Sequence, residues 1–573
     1  MPYYTQPRAA QVRPSRLAHA MKPACLAAVV ALTNVLAAAA RAEAPSGDVV
    51  MKAMVDEMAR GMDELSLNDL PKPYFIKLRA QQREVYHLAA SYGGLTNDSH
   101  NRSRLIESRV RVGGYELDNT NFQRPFGAAA SLPLDDDYDA IRHTVWLTLD
   151  QDYKRAVEVY AAKRAYLESH NVEDRPNDFT RATPVVSSDD LKSITFDRAD
   201  WASRLQRVSA RYAAHPEIQD GEVRLFFGRA DQWLVNSEGT RIFTSDLGGM
   251  LEIYAETQAP DGMALNDSKS FLFESTDELP DVDKLLAAVD TLCDRLAGQT
   301  KAEVLDQYTG PVLFEPKAAG SAFHSLFADR VAAVRIPLGV QWRDPSLEKK
   351  LGLRVLPRSF QVYDDPQTKR YDGKLLAGAY QLDDEGVRGE RVSIVEKGKL
   401  KHLVSSRAPT RKIHGSNGHA RSGGLGDPRA SVACLYVRDE EGMSKKDLRE
   451  ELIEAAQDEG LDYALRVESM EDGGFMSLGD PICAYKVFVD DGHEEPVRGL
   501  TFGPVGDRAI KRLLAGGDTP EVSNFVSSVS VSIIAPSVIF EELDLSKVEE
   551  EFDKLPILRA PGQRGKDQAG ATP

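Results

Sequence analysis

A histidine close to a carboxylate can hold a metal ion or relay a proton, so this chain's few such neighbourhoods are where chemistry would be sought. His414 and His419 lie in Lys412-Ile413-His414-Gly415-Ser416-Asn417-Gly418-His419. This glycine-rich stretch has no acidic or cysteine partner at ligand spacing and is expected to be a solvated loop. His493-Glu494-Glu495-Pro496 begins like a zinc-peptidase helix, but it lacks the second histidine and follows the turn-forming Asp490-Asp491-Gly492. Asp383-Asp384-Glu385 and Asp490-Asp491 are carboxylate clusters. Turns at strand ends are commonly acidic for solubility, so both are expected to be solvated rather than cation sites. Gly423-Gly424-Leu425-Gly426-Asp427-Pro428 has neither the lysine of a phosphate-binding loop nor the last glycine and flanking strand of a dinucleotide fingerprint. No Gly-x-Ser-x-Gly elbow occurs. There remains Phe323-His324-Ser325-Leu326-Phe327-Ala328-Asp329, whose plain reading is a core or helix-flank histidine beside Ala322, Phe323, Leu326 and Phe327.

The elements that would position these residues are legible from periodicity. Apolar residues recur at helical spacing over Val49 to Leu67, Asp137 to His170, Asp197 to Ala214 and Val282 to Leu296, with Asp197 a plausible N-cap. Between them, alternating runs predict antiparallel strands at Tyr74 to Arg79, Glu84 to Tyr92, Arg104 to Leu117, Glu222 to Gly228, Gln232 to Asn236, Arg241 to Ser245 and Leu251 to Gln258. Gly93-Gly94, Gly113-Gly114 and Asn236-Ser237-Glu238-Gly239 read as turns. After Tyr308-Thr309-Gly310-Pro311 short strands dominate, with helices at Pro316 to Val334 and Lys445 to Glu459. The fold class is therefore α+β: an N-terminal domain of antiparallel sheet with packed helices (43–310, with an insertion-like helical region at about 136–190), then a mostly β C-terminal domain (311–558). The tail, 559–573, has no apolar pattern and is expected to be disordered.

Several segments together resemble the TldD/PmbA family. Gly310-Pro311-Val312-Leu313-Phe314-Glu315-Pro316-Lys317-Ala318-Ala319, followed by Ala322-Phe323-His324, is similar to the strand and helix that open the family's C-terminal domain. Trp233-Leu234-Val235-Asn236-Ser237-Glu238-Gly239 looks like its N-terminal hairpin. Asp383-Asp384-Glu385-Gly386, Ile394-Val395-Glu396-Lys397-Gly398-Lys399-Leu400, Ser416-Asn417-Gly418-His419-Ala420-Arg421, Glu468 to Gly474 and Val497-Arg498-Gly499-Leu500 continue the match. The likeness is strongest from about residue 220 to 545.

The resemblance implies an activity and a departure from it. Catalytic members bind zinc through the two histidines of His-Glu-x-x-x-His and a cysteine near the C-terminus, with the glutamate as general base. The matching positions here are His324, Ser325 and Asp329. One imidazole survives, and Asp329 could still ligate zinc with it. The base has become a hydroxyl, and no cysteine follows Ala484; Ser527 to Phe540, where the third ligand would be sought, contains none. The expectation is a non-catalytic member without zinc or other cofactor, closest in character to the PmbA/TldE-type subunit. Its implied partners are a TldD-like catalytic subunit, or a second copy in a dimer, and unstructured peptide. An active peptidase with a rearranged His324/Asp329 site and a peptide-binding scaffold homodimer are the alternatives.

The 573 residues, 42% hydrophobic and 28% charged, suffice for more than one core. With 88 acidic against 71 basic side chains and a net charge of −17, nucleic acid is a poor partner. Arg8, Arg13, Arg16 and Lys22 precede an apolar run from Ala24 to Ala40, and Ala40-Arg41-Ala42 supplies a small-x-small cleavage pattern. Residues 1–42 thus read as a signal peptide with Met1 or Met21 as the start, and the mature chain as periplasmic or secreted. No later segment is apolar enough to span a membrane. Cys293, Cys434 and Cys483 would remain, allowing at most one internal disulfide.

Overall fold

A computed structural model describes residues 48–123, 127–172, 175–340, 346–423 and 427–549, together with 552, 554–556 and 558. Residues 1–42, read from the sequence as a signal peptide, and the tail, 559–573, lie outside the described residues.

The N-terminal half is built on one long-stranded antiparallel sheet. Its main strands are β1 (Pro73–Ser91), β2 (Gly94–Val112), β3 (Asp220–Asn236), β4 (Arg241–Gln258) and β5 (Ala264–Phe273), in the spatial order β2-β1-β3-β4-β5. Three of these strands, β1, β3 and β4, each unite what the sequence divides into two, and β2 begins at Gly94, before the run read from Arg104. Ala80-Gln81-Gln82-Arg83 interrupts the alternation of β1, yet Gln81 pairs with Leu105 on one side and Gln232 on the other. Ladder hydrogen bonds on both edges carry the strand through its polar middle. Ile76, Leu78, Ala80, Leu88 and Ala90 share one face of β1, and all are fully buried. Two helix pairs cover that face. α1 (Val49–Glu64) and α2 (Tyr138–His170) pack over Ile76 to Ala80, while α3 (Arg198–Ser209) and α4 (Val282–Gln299) pack over Leu88 and Ala90. Each helix starts at an aspartate whose carboxylate accepts a first-turn N–H: Asp48 from Met51, Asp137 from Ala140, Asp197 from Asp200 and Asp281 from Lys284, at 2.8–3.0 Å. Such caps contribute about 1 kcal/mol each.

The C-terminal half contains two sheets around a shared core. β6 (Gln307–Phe314) leads into α5 (Pro316–Leu326), with proline in the first turn. One sheet contains β7 (Phe360–Asp364), β8 (Val392–Glu396), β9 (Lys399–Leu400), β10 (Cys434–Asp439), and, beyond α6 (Lys445–Asp458), β13 (Glu521–Phe525) and β14 (Val531–Ala535), in the order β9-β8-β7-β10-β14-β13. The other is centred on β6, β11 (Tyr463–Met470), β12 (Pro481–Phe488) and β15 (Val538–Lys547); β6 sits between β15, antiparallel, and β11, parallel. α5 lies within the core formed by both sheets, and Ala318, Ala319, Ala322, Phe323 and Leu326 are buried there. The expected helix from Pro316 to Val334 is shorter than its apolar pattern. It stops at Leu326, Phe327 leaves helical geometry at φ −129°, and a 3-10 turn, Ala328–Val331, follows. Among the described residues no helix is long and apolar enough to cross a membrane. Cys293, Cys434 and Cys483 are all buried free thiols.

Candidate functional site

α5 presents His324 beside β13. Its ring stacks on Phe525 with centroids 4.0 Å apart and planes 5° from parallel. Burial lowers its pKa, opposed by the charges of Asp472 and Asp329. Ser325, one residue on, is buried, and its carbonyl accepts the Met476 N–H at 3.1 Å. Packing around the helix is close: a Cβ at Gly320 would lie 2.4 Å from the Ser523 hydroxyl, and one at Gly473 would lie 2.6 Å from the Ser325 hydroxyl. Asp329 sits beyond the end of the helix on the 3-10 turn and is exposed.

These residues do not fit a zinc ion. Among the described residues, the sole trio of histidine, cysteine or carboxylate groups with ligand atoms within 4.8 Å of one another is Asp490, Asp491 and His493. That trio lies on an exposed turn, with His493 stacked on Phe488. In the strand where a third ligand would be sought, Ser532 is buried; its hydroxyl donates to Asn524 Oδ1 at 2.6 Å and accepts the Gly378 N–H at 3.0 Å. The hydroxyl is committed to holding β14 against its neighbours.

The second histidine overturns its expectation. His419 is fully buried rather than solvated: its Nε2 lies 2.9 Å from Asp364 Oδ1, and its Nδ1 lies 2.9 Å from Asn417 Oδ1. The other Asp364 oxygen accepts the Ala433 N–H at 2.9 Å. Both ring nitrogens are occupied, so no nucleophile can be activated by this imidazole. It pins the 415–421 loop to β7. The acidic partner lies 55 residues away in sequence, at no recognisable ligand spacing.

Asp383-Asp384-Glu385 is likewise not a solvated turn; all three side chains are buried. The cause lies on the uncovered face of the N-terminal sheet. There the β1–β2 register sets Lys77 opposite Arg109, and Phe75 opposite Arg111, so cations face each other without enough carboxylates of their own. Glu107 meets Arg79 and Asp118 meets Arg111, both at 2.9 Å, and the C-terminal half supplies further partners. Arg79 lies 3.4 Å from Asp384, Arg109 lies 3.1 Å from Asp427, and the Lys77 ammonium donates to the Asp384 carbonyl at 3.1 Å. Arg407 answers from the C-terminal side. Its N–H donates to Glu385 at 2.8 Å, and its guanidinium reaches Glu238 and the Thr180 carbonyl while lying 4.0 Å from the Phe179 ring centre. Burial followed by the Glu385 charge pushes the Asp383 carboxyl up to about 8, against three backbone donors that favour its anion. Burial, then Arg79, brings Lys77 down to about 8. A visible signal existed: Lys77 and Arg79 in β1, and Glu107, Arg109 and Arg111 in β2, alternate opposite an apolar face, as a buried ionic interface would.

Residues 307–547 match the family model described as the PmbA/TldA metallopeptidase C-terminal domain. That stretch is a domain of the TldD/PmbA family. Over 126 residues, 22% of the chain, it is 32% identical to a metalloprotease of Archaeoglobus fulgidus, and over 128 residues 30% identical to a metalloprotease of Methanocaldococcus jannaschii. The matched segments span only 27% and 26% of those relatives' lengths. In fold, the chain resembles a Thermotoga maritima protein described as a modulator of a DNA gyrase (TM-score 0.57, 15% identity, 86% of this chain and 99% of that one) and TldE of Thermococcus kodakarensis (TM-score 0.55, 12% identity, 86% and 100%). The α+β class read from the sequence is the family's, and the chain is metallopeptidase-related.

Proposed function

We propose that this TldD/PmbA protein is an exported, non-catalytic protomer that handles unstructured peptides, either beside a TldD-like catalytic subunit or as a dimer of itself. The observation that carries the reading is the state of the motif helix. His324 is engaged with Phe525, Ser325 offers no proton acceptor where a general base would stand, and Asp329 lies past the end of the helix. A zinc-bound water needs three convergent ligands and a nearby base to attack a peptide bond. Export rests on the charged and apolar pattern of residues 1–42. The gyrase description attached to one structural neighbour gains no support from a chain of net charge −17.

The test is metal content and peptide hydrolysis of the purified mature chain, alone and with a co-expressed TldD-like subunit. Substoichiometric zinc, no cleavage alone, and cleavage with the partner that survives His324→Ala are expected. Stoichiometric zinc that disappears together with cleavage in His324→Ala would establish the rearranged-site peptidase instead. Stable self-association with no affinity for a TldD-like subunit would leave the scaffold homodimer.

A further inference from the structure

A groove of about 850 Å³ crosses the outer face of the β9-β8-β7-β10 sheet. The inner face of β7 buries Phe360 and Val362, so Gln361 and Tyr363 point outward into the groove, flanked by Arg438 of β10 and by Arg391 and Ser393 at the start of β8. Lys397, Lys399 and Lys401 line it from the β8–β9 hairpin, and Arg354 and Arg358 from the segment entering β7. Only two carboxylates, Glu396 and Glu440, share the lining. In a chain of net charge −17 this is a local reversal of sign.

An ordinary solvated sheet face interleaves charges and pairs many of them, as Arg466 and Glu494 do elsewhere at 2.6 Å. Here none of the seven cations forms an ion pair among the described residues. Concentrated, unneutralised positive charge in a concave surface focuses the field and draws an anion in. The volume lies toward the upper end of the roughly 300–1,000 Å³ usual for ligand pockets. The cations are spread over two strands, a hairpin and a loop rather than converging on one point, which suits an elongated anion better than a single phosphate.

The aromatic content decides against a single-stranded nucleic acid, which binds such grooves by stacking its bases on open rings. Tyr363 is the one aromatic lining residue; the Arg391 guanidinium lies 3.9 Å from its ring centre, and Tyr436 stacks on it at 4.6 Å with planes 8° apart. Its ring is already in use. We propose that this groove binds an acidic, extended segment of polypeptide, whose same-face carboxylates, about 7 Å apart in an extended chain, meet successive cations of the sheet and hairpin. The choice of a polypeptide rests on the peptide-handling reading above; the choice of an acidic one rests on the groove.

The experiment is fluorescence anisotropy of the full mature chain with a short Glu/Ser peptide, a Gly/Ser peptide of equal length and an oligothymidylate. Each is measured at about 0.01 M and about 0.15 M salt, where the screening length falls from about 30 Å to about 8 Å. The variant is Lys399→Glu/Lys401→Glu/Arg438→Glu, three exposed positions, with its melting curve compared to that of the unaltered chain. The Glu/Ser peptide is expected to bind, to weaken at least about tenfold in the variant, and to weaken similarly with salt. Failure of that peptide to bind, or equal binding by the variant, overturns the proposal. Oligothymidylate binding that the Glu/Ser peptide cannot displace assigns the groove to nucleic acid and also overturns it. The Gly/Ser peptide reports separately on the peptide-handling reading. If it alone binds, the groove proposal fails and that reading stands; if neither peptide binds, both fail.

Discussion

The surroundings of His324 and those of His419 are opposites. The first histidine stands on the motif helix, half-buried, against one phenylalanine ring, with its nearest charges outside hydrogen-bonding arrangements. The second stands in a glycine-rich loop, fully buried, with both nitrogens bonded, near an acidic turn that meets Lys77, Arg79 and Arg407 from other parts of the chain. Sequence motifs direct attention to the first. Buried ionisable groups that hold the two halves together lie beside the second, through Asp383-Asp384-Glu385. Dense networks of charge in a fold can thus mark where domains are joined rather than where substrates react.

Substitutions can break that contrast. Arg407→Ala should have the largest effect, about 3–5 kcal/mol lost in urea unfolding, because it removes a buried guanidinium that pairs with Glu238, bonds the Thr180 carbonyl and supplies the positive charge nearest the buried Glu385 carboxylate. A loss below about 1 kcal/mol would mean that water replaces the guanidinium and that the interface is looser than described. Next, His419→Ala should cost about 2–4 kcal/mol by leaving Asp364 buried without its partner. His324→Ala should cost only about 0.5–1.5 kcal/mol, the worth of a ring stack. The reverse ranking, measured on the same denaturation curves, would invert the comparison.

A slope with pH tests the same interface. The native Asp383 carboxyl, raised from 3.8 to about 8, holds a proton that the unfolded chain has released. Its contribution to stability is therefore complete below about pH 4 and lost as pH rises through 8. Lys77, lowered from 10.5 to about 8, has the opposite imbalance: the unfolded chain keeps its proton longer, so stability recovers as pH rises from 8 to 10.5. The interface contribution should pass through a minimum near pH 8. Melting temperatures measured from pH 5 to 10 should show Asp383→Asn flattening the acid side of that minimum and Lys77→Met the alkaline side. Unchanged profiles in both variants would show that neither group titrates at the interface.

Local periodicity carried much of the fold. The helix read over Asp137 to His170 is Tyr138–His170, capped by Asp137 as its sequence invites, and Asp197 caps α3. Strands were legible where apolar and polar residues alternate and were cut short at Gln81-Gln82, where pairing on both edges does what side-chain pattern does not announce. The candidate site was legible in its residues and not in its surroundings. Phe525 lies some two hundred residues from His324, Asp364 lies 55 from His419, and the cations that bury Asp384 come from the first strand of the other sheet. Asp490, Asp491 and His414 are exposed, as a solvated turn and loop should be, whereas the same expectation failed at Asp383-Asp384-Glu385 and His419 because the partners were distant in sequence and became visible only once the sheets were placed.

The position of β15 has a consequence for how the chain is made. That strand, Val538–Lys547, pairs antiparallel with β6, Gln307–Phe314, so the first strand of the C-terminal half waits for the last one. β10 likewise waits for β14, parallel to it and almost a hundred residues later. Pairings of such long sequence separation form slowly because loop closure must precede their contacts. A nascent chain still emerging would keep both sheets open-edged and their shared core unclosed until β14 and β15 have been made, and open edges of that kind are prone to pair with other chains.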